Sequence, residues 1–263
     1  MGRLHLFEFN DQSWFPKSMR VTMMELLVGT YSFLKIFQPV FPKVHNFIED
    51  TNERNLQLLC AGGGGPVTEL ASYLEKQTSS DIQITLSDKF PNTERYEQLK
   101  REGKVNIDFD EKSVDIFDLP PKIEGTRVVI NAVHHFREHQ VKSILQDAFN
   151  DKANIVFLEP VQRSPRCFLN IVLAFPIFIY LGIFGIRPLN FRRFLWTVLF
   201  PIVSLVTVFD GLISTLRAYK PKDWQKMVDE IDPQKDYHWQ IGEASTAFTK
   251  VTYLMGRSIL DQT

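Results

Sequence analysis

Four consecutive glycines, Gly62, Gly63, Gly64 and Gly65, stand between a short apolar run at residues 56–60 and a helix-forming stretch at residues 67–77. A strand that ends in residues without side chains and turns at once into a helix is how a parallel α/β unit begins. The bare N–H groups of such a turn can cradle a phosphate or a carboxylate. No Gly-Lys-Ser/Thr comes after it, so the loop is not a Walker motif, and its spacing is not G-x-G-x-x-G. Glycine runs also serve as plain turns, so the loop takes its meaning from the residues downstream of it.

The chain beyond the loop keeps alternating. Residues 82–86 read as a strand leading to Ser87-Asp88, 96–101 as a helix, and 105–109 and 113–116 as extended segments. Residues 127–132 read as a strand, 139–150 as a helix, and 154–158 as a strand closing on Glu159-Pro160. This order predicts an α/β fold, a parallel sheet with helices on both faces, whose ligands lie at the carboxyl ends of the strands. Residues 1–54 read as an N-terminal helical cap. There Met24, Leu27, Tyr31 and Leu34 recur at helical spacing until Pro39 and Pro42 break the pattern, and a second short helix reaches about Asn52. Residues 224–230 read as a helix, and 237–241 and 249–255 as two last strands. The expected division is 1–54 as the cap, 55–160 with 221–263 as the sheet domain, and 161–220 as a hydrophobic insertion.

Asp88 ends the second strand a little over twenty residues after the glycines. A carboxylate there holds the ribose hydroxyls of an adenosine cofactor, although Asp88 also suits a helix N-cap. The segments Leu-Cys-Ala-Gly-Gly-Gly-Gly-Pro, Leu-Ser-Asp-Lys-Phe-Pro-Asn and Ser-Val-Asp-Ile-Phe-Asp-Leu-Pro together resemble the class I S-adenosylmethionine-dependent methyltransferases. The resemblance covers residues 55–160 and extends to 237–257. It is nearest to a subgroup with a hydrophobic insertion that carries Trp-Phe-Pro near the start, His-His-Phe after the fourth strand and a late Asp-Gly-x-x-Ser-x-x-Arg-x-Tyr. It implies a Rossmann-like methyltransferase sheet and S-adenosyl-L-methionine as cofactor. It sets Ala61, Gly62, Gly63 and Gly64 in the first cofactor motif, Asp88 on the ribose, Asp115 beside the adenine amino group and Asn131 near the methionine end. The chain departs from that pattern at Leu58, where an acid is usual, and at Cys60, where a glycine is usual.

Methyl transfer from a sulfonium needs in-line positioning, and a base where the acceptor carries a proton. His134 and His135, just after the fourth strand, and Glu159, at the end of the fifth, are the candidates for that work. Each also has a plain structural role open to it, capping a helix or bonding a loop. Trp14, with Phe7, Phe9 and Phe15, can form a lid over a sulfonium or simply close a core. No group of His, Cys and carboxylate residues along the chain has zinc or iron spacing, so no metal is expected. The net charge of −1 and the dispersed Lys and Arg argue against nucleic acid as a partner. Two unpaired cysteines, Cys60 and Cys167, fit a reducing compartment.

Residues 167–186 run about twenty positions without a formal charge, and residues 194–209 form a second uncharged run. Strands on both sides of the insertion require its two ends to leave any membrane on the same side. Arg187, Arg192 and Arg193 in the connector disfavour a full hairpin by the positive-inside tendency, and Pro176 and Pro201 interrupt the runs. The expectation is helices lying in one leaflet, with the catalytic domain facing the cytosol; the alternative is a buried helical cap. Asp210, Ser214 and Arg217 share one helical face, placed to read a polar head group, close the site or form a helix-end salt bridge. The function expected is methyl transfer to a small lipophilic acceptor at a membrane. The competing readings are a non-catalytic binding or scaffold protein on a degenerate methyltransferase fold, another S-adenosylmethionine-using transferase, and a nucleotide-cofactor oxidoreductase.

Overall fold

The middle of the sheet is set by two strands buried at every position, β4 (Thr126–Ile130) and β5 (Ile155–Glu159). Their apolar stretches, residues 128–130 and 155–158, suit strands covered on both faces. In this computed structural model, which describes residues 2–78, 81–101, 106–120, 123–185 and 191–259, β1 (Asn55–Leu59) pairs in parallel with β2 (Gln83–Leu86) and with β4. β3 (Asn106–Phe109) continues the parallel sheet beyond β2, and β5 continues it beyond β4. β6 (Tyr237–Ser245) and β7 (Lys250–Ser258) form an antiparallel hairpin that joins through β7 to β5. The seven strands run in the order β3-β2-β1-β4-β5-β7-β6.

The period of two sorts the side chains. Leu58, Val128 and Val156 face one core with Phe47, Leu70, Leu74 and Tyr96. Leu59, Val129 and Phe157 face the other, with Val141, Leu145, Trp224 and Met227. The helices behind these faces are α2 (Phe41–Thr51), α3 (Val67–Gln77), α4 (Thr93–Arg101), α5 (Glu138–Asn150) and α10 (Pro221–Ile231). A third apolar cluster lies apart from the sheet. It joins α1 (Lys17–Phe33) to α7 (Phe175–Gly185) and α9 (Ile202–Arg217), with α6 (Pro165–Leu173) packed on both insertion helices and the short α8 (Phe191–Phe194) before a π turn. The first 54 residues therefore divide: α1 packs on the insertion, and α2 packs on the sheet domain.

Two expectations change, and the break expected at Pro176 is present. The last two strands are longer than the sequence predicts, because pairing with each other extends both. Residues 113–116 make no strand, only an isolated bridge between Asp115 and Asp118. There the Asp115 carboxylate accepts the Phe117 N–H at 3.1 Å, a local turn that competes with sheet pairing. The uncharged run from Cys167 breaks at Ala174, with Pro176 in the first turn of the next helix. No single helix among the described residues is long and apolar enough to cross a membrane. The bent pair α9 and α10 passes that test together, but α10 buries Trp224, Met227 and Val228 against the sheet. Val105, Ile186 and Arg187 lie outside the described residues.

Candidate active site

The loops after β1, β2, β4 and β5 meet at the carboxyl edge of the sheet. After β1 the chain turns through left-handed backbone at Cys60, Gly62, Gly64 and Gly65. A Cβ on Gly64 would run into the Leu99 side chain, so close packing of the loop on α4 requires glycine there. Ala61 is buried and donates its N–H to Ser87 O, and Gly63 lies against Met24 of α1. Asp88 ties the loops together: Oδ2 accepts the Gly62 N–H at 2.8 Å and Oδ1 accepts the Phe90 N–H at 2.8 Å. Asp88 is not the cap of α4, a place held by Asn92, whose Oδ1 faces the Arg95 N–H at 3.4 Å.

These loops open on a cavity of about 920 Å³. Cys60, Gly62, Asp88, Phe90 and Asn131 line one end of it. Met24, Leu27, Tyr31 and Leu34 line another wall, so the helical face read from the sequence turns toward the cavity, and Met23, Met24, Leu26 and Leu27 also pack on the insertion. Ile171, Phe175 and Phe178 contribute the insertion's wall. Burial pushes the Cys60 thiol far up, which argues against a thiolate nucleophile. Asp115 is not in the lining; it pairs with Lys89 at 2.7 Å on the rim, and that contact holds its carboxyl below the ordinary value. Asn131, in left-handed backbone at the end of β4, has a buried Oδ1 without a hydrogen-bond partner among the described residues.

His134 and Glu159 form a buried pair, 3% and 2% exposed. Glu159 Oε1 accepts the Val133 N–H at 2.7 Å, and Oε2 lies 2.7 Å from His134 Nδ1. A carboxylate at that distance keeps the proton on Nδ1 and leaves Nε2 as an acceptor. His134 lines the cavity and Glu159 stands behind it. His135 also lines it, with Nδ1 2.8 Å from Asp11 Oδ1.

Asp11 and Glu8 belong to an N-terminal strap, residues 3–11, that α9 holds across the cavity. Both oxygens of Asp210 accept backbone N–H groups, from Phe9 and Asn10, at 2.9 Å each. Ser214 Oγ donates to Glu8 Oε1 at 3.1 Å. Arg217 Nε donates to Leu6 O at 2.8 Å, and Nη1 lies 2.6 Å from Asp11 Oδ2 and 3.3 Å from Glu8 Oε1. Arg3 secures the strap's start, donating to Arg217 O at 2.6 Å and Phe136 O at 2.6 Å with its guanidinium over the Tyr219 ring. Burial pushes the Glu8 carboxyl up to about 7 and also raises that of Asp210. Burial opposes ionisation of Asp11 too, but the His135 and Arg217 contacts outweigh it and hold that carboxyl well below the usual range.

The structure thus brings Gly62, Asp88, Asn131, His134, His135, Asp210 and Ser214 to one cavity. Arg217 stands beneath its strap, and Trp14 is exposed on the outside of the N-terminal segment, stacked on Phe7. Glu8 and Asp11 are the site residues that sequence reasoning missed. The one signal was an acid set between aromatics in Phe7-Glu8-Phe9.

No family profile and no curated protein sequence matches the chain. Among solved structures, it is similar to the plantazolicin methyltransferase BpumL in complex with SAH, with a TM-score of 0.51 and 10% identity over 92% of this chain and 98% of that one. It is also similar to the S-adenosylmethionine-dependent methyltransferase SibL in its apo form, with a TM-score of 0.50 and 12% identity over 84% of this chain and 55% of that one, about half its length. With the strand order and the glycine loop at the head of the sheet, these likenesses establish one thing: the chain has the fold of the class I S-adenosylmethionine-dependent methyltransferases.

Proposed function

We propose that the protein transfers a methyl group from S-adenosylmethionine to a small amphiphilic acceptor taken from a membrane surface. The observation that carries this reading is that the loop joined by Asp88 opens on the same cavity as the His134–Glu159 pair. The residues fit the cofactor. The loop has no side chains to obstruct it, and each Asp88 oxygen keeps a free lone pair beside its backbone bond. Leu58 is buried in the sheet core, so the acid usual there is missing. Asn131 Oδ1, an acceptor without a hydrogen-bond partner among the described residues, is left for the cofactor's amino group.

When bound, the cofactor supplies an electrophilic methyl group and leaves as S-adenosylhomocysteine. His134 Nε2 takes the proton of an acceptor O–H or N–H, and Glu159 stabilises the resulting imidazolium while fixing its ring. The apolar walls from α1 and the insertion hold the acceptor's body and keep water out. Titration calorimetry tests the cofactor. One equivalent of S-adenosylmethionine or S-adenosylhomocysteine should bind, and Asp88→Ala, which removes charged hydrogen-bond acceptors, should weaken binding on the order of a hundredfold. No heat from folded wild-type protein would leave a non-catalytic scaffold instead.

The membrane part of the reading rests on the insertion's outward sides. Leu169, Leu173, Ile177, Phe191, Leu199 and Leu205 are each more than half exposed. Apolar surface on this scale marks an interaction face, and helices lying in one leaflet with the sheet domain in the cytosol would cover it. The protein should float with phospholipid vesicles in a density gradient. The double substitution Leu173→Glu and Ile177→Glu should leave it at the bottom with cofactor binding intact, and wild-type protein that stays at the bottom would end the membrane reading.

A further inference from the structure

We propose that Glu8, His134 and His135 form a binding site for one divalent transition-metal ion. Ligand atoms of the three lie within 4.8 Å of one another. Bonds of ~2.1 Å around one ion put donor atoms up to roughly 4 Å apart, so a modest rotation of these side chains can bring one ring nitrogen from each histidine and a Glu8 oxygen to a shared ion. Two imidazoles and a carboxylate suit Zn²⁺, Co²⁺, Ni²⁺ or Fe²⁺ better than Mg²⁺ or Ca²⁺. All three residues line the cavity, which leaves coordination positions open toward a ligand.

The atoms behind the ligands are arranged as a metal site requires. Glu159 holds His134 Nδ1 at 2.7 Å and Asp11 holds His135 Nδ1 at 2.8 Å. Such carboxylate–imidazole contacts fix the tautomer and turn Nε2 outward as the donor to metal. Neither Nε2 has a hydrogen-bond partner among the described residues. Glu8 Oε1 is held by Ser214 at 3.1 Å and Arg217 at 3.3 Å, whereas Oε2 among the described residues meets only His135 Nδ1 at 3.4 Å, a poor hydrogen bond. Charge points the same way. Glu8, Asp11, Asp210 and Glu159 crowd this end of the cavity, and Arg217 is the cation that pairs with the first two.

A metal on His134 Nε2 occupies the atom that proton abstraction needs, so the two uses exclude each other. This consequence for activity, though not the site itself, rests on the methyltransferase reading. The test is titration of chelator-stripped, cofactor-free protein with Co²⁺ and Zn²⁺. Expected are uptake of one equivalent and visible Co²⁺ bands without a thiolate charge-transfer band, which sets Cys60 and Cys167 aside. His135→Ala and Glu8→Gln should each weaken uptake at least tenfold, and Asp11→Asn by roughly 10–100-fold. Should Glu8→Gln fail to fold, His135→Ala and Asp11→Asn carry the comparison. No stoichiometric uptake by wild-type protein, uptake unchanged in these variants, or a thiolate band would overturn the site. Zn²⁺ should lower methyl transfer in step with occupancy. Uptake lost in the variants from a protein that transfers no methyl group, with or without metal, would still support the site and would overturn only the methyltransferase reading.

Discussion

His134→Ala, assayed in metal-free buffer, is expected to lower kcat for methyl transfer by roughly 10²–10⁴-fold, the usual contribution of a positioned base. Cofactor binding should survive, because His134 touches neither the glycine loop nor Asp88. The substitution removes Nε2 and leaves Glu159 still accepting the Val133 N–H. Glu159→Gln should act in the same direction through orientation: its amide nitrogen can only donate, either toward the Val133 N–H or toward the proton on His134 Nδ1. Retention of kcat within threefold in His134→Ala would place the base elsewhere in the cavity.

The second large effect is on stability. Arg217 is 2% exposed, and it is the shared partner of Glu8, Asp11 and the Leu6 carbonyl. Arg217→Met keeps much of the apolar volume but leaves Glu8, itself 1% exposed, without its arginine. Breaking a buried pair from one side costs about 3–5 kcal/mol. In a chain of this size that lowers Tm on the order of 10 °C. If the strap peels away before the rest unfolds, the loss will show as fast amide exchange at residues 3–11 with the sheet still protected. A Tm within about 2 °C of wild type, with exchange in the strap unchanged, would mean that the ion network does not hold the strap.

The sheet was legible because its signals are local. Leu58 and Leu59, or Val128 and Val129, need only the period of two to sort onto opposite faces, and the glycines and Asp88 sit where the strands end. The false strand at residues 113–116 shows the limit of such reading: Asp115 satisfies a neighbouring N–H within the turn, which hydropathy does not register. The insertion's break was legible: Pro176, in the first turn of α7, lacks the N–H that one long helix would need there. The site was half legible. Asp210, Ser214 and Arg217 announce a shared face through their spacing, but the segment they grip is irregular, ending in a single 3₁₀ turn at Phe9–Asp11, and has no periodicity of its own. Glu8 meets His134 across 126 positions, a distance no motif search spans.

The strap imposes an order on biosynthesis. Glu8 leaves the ribosome 202 residues before Asp210 and longer still before Arg217. At 5–20 residues per second its partners emerge after roughly 10–40 s. Until then an apolar, acidic leader waits unpaired while the strands behind it are already able to fold. The five parallel strands therefore emerge before the strap's partners, and β6 and β7 after them. Nascent chains halted before α9 should carry the five parallel strands with the strap unheld, and be inert.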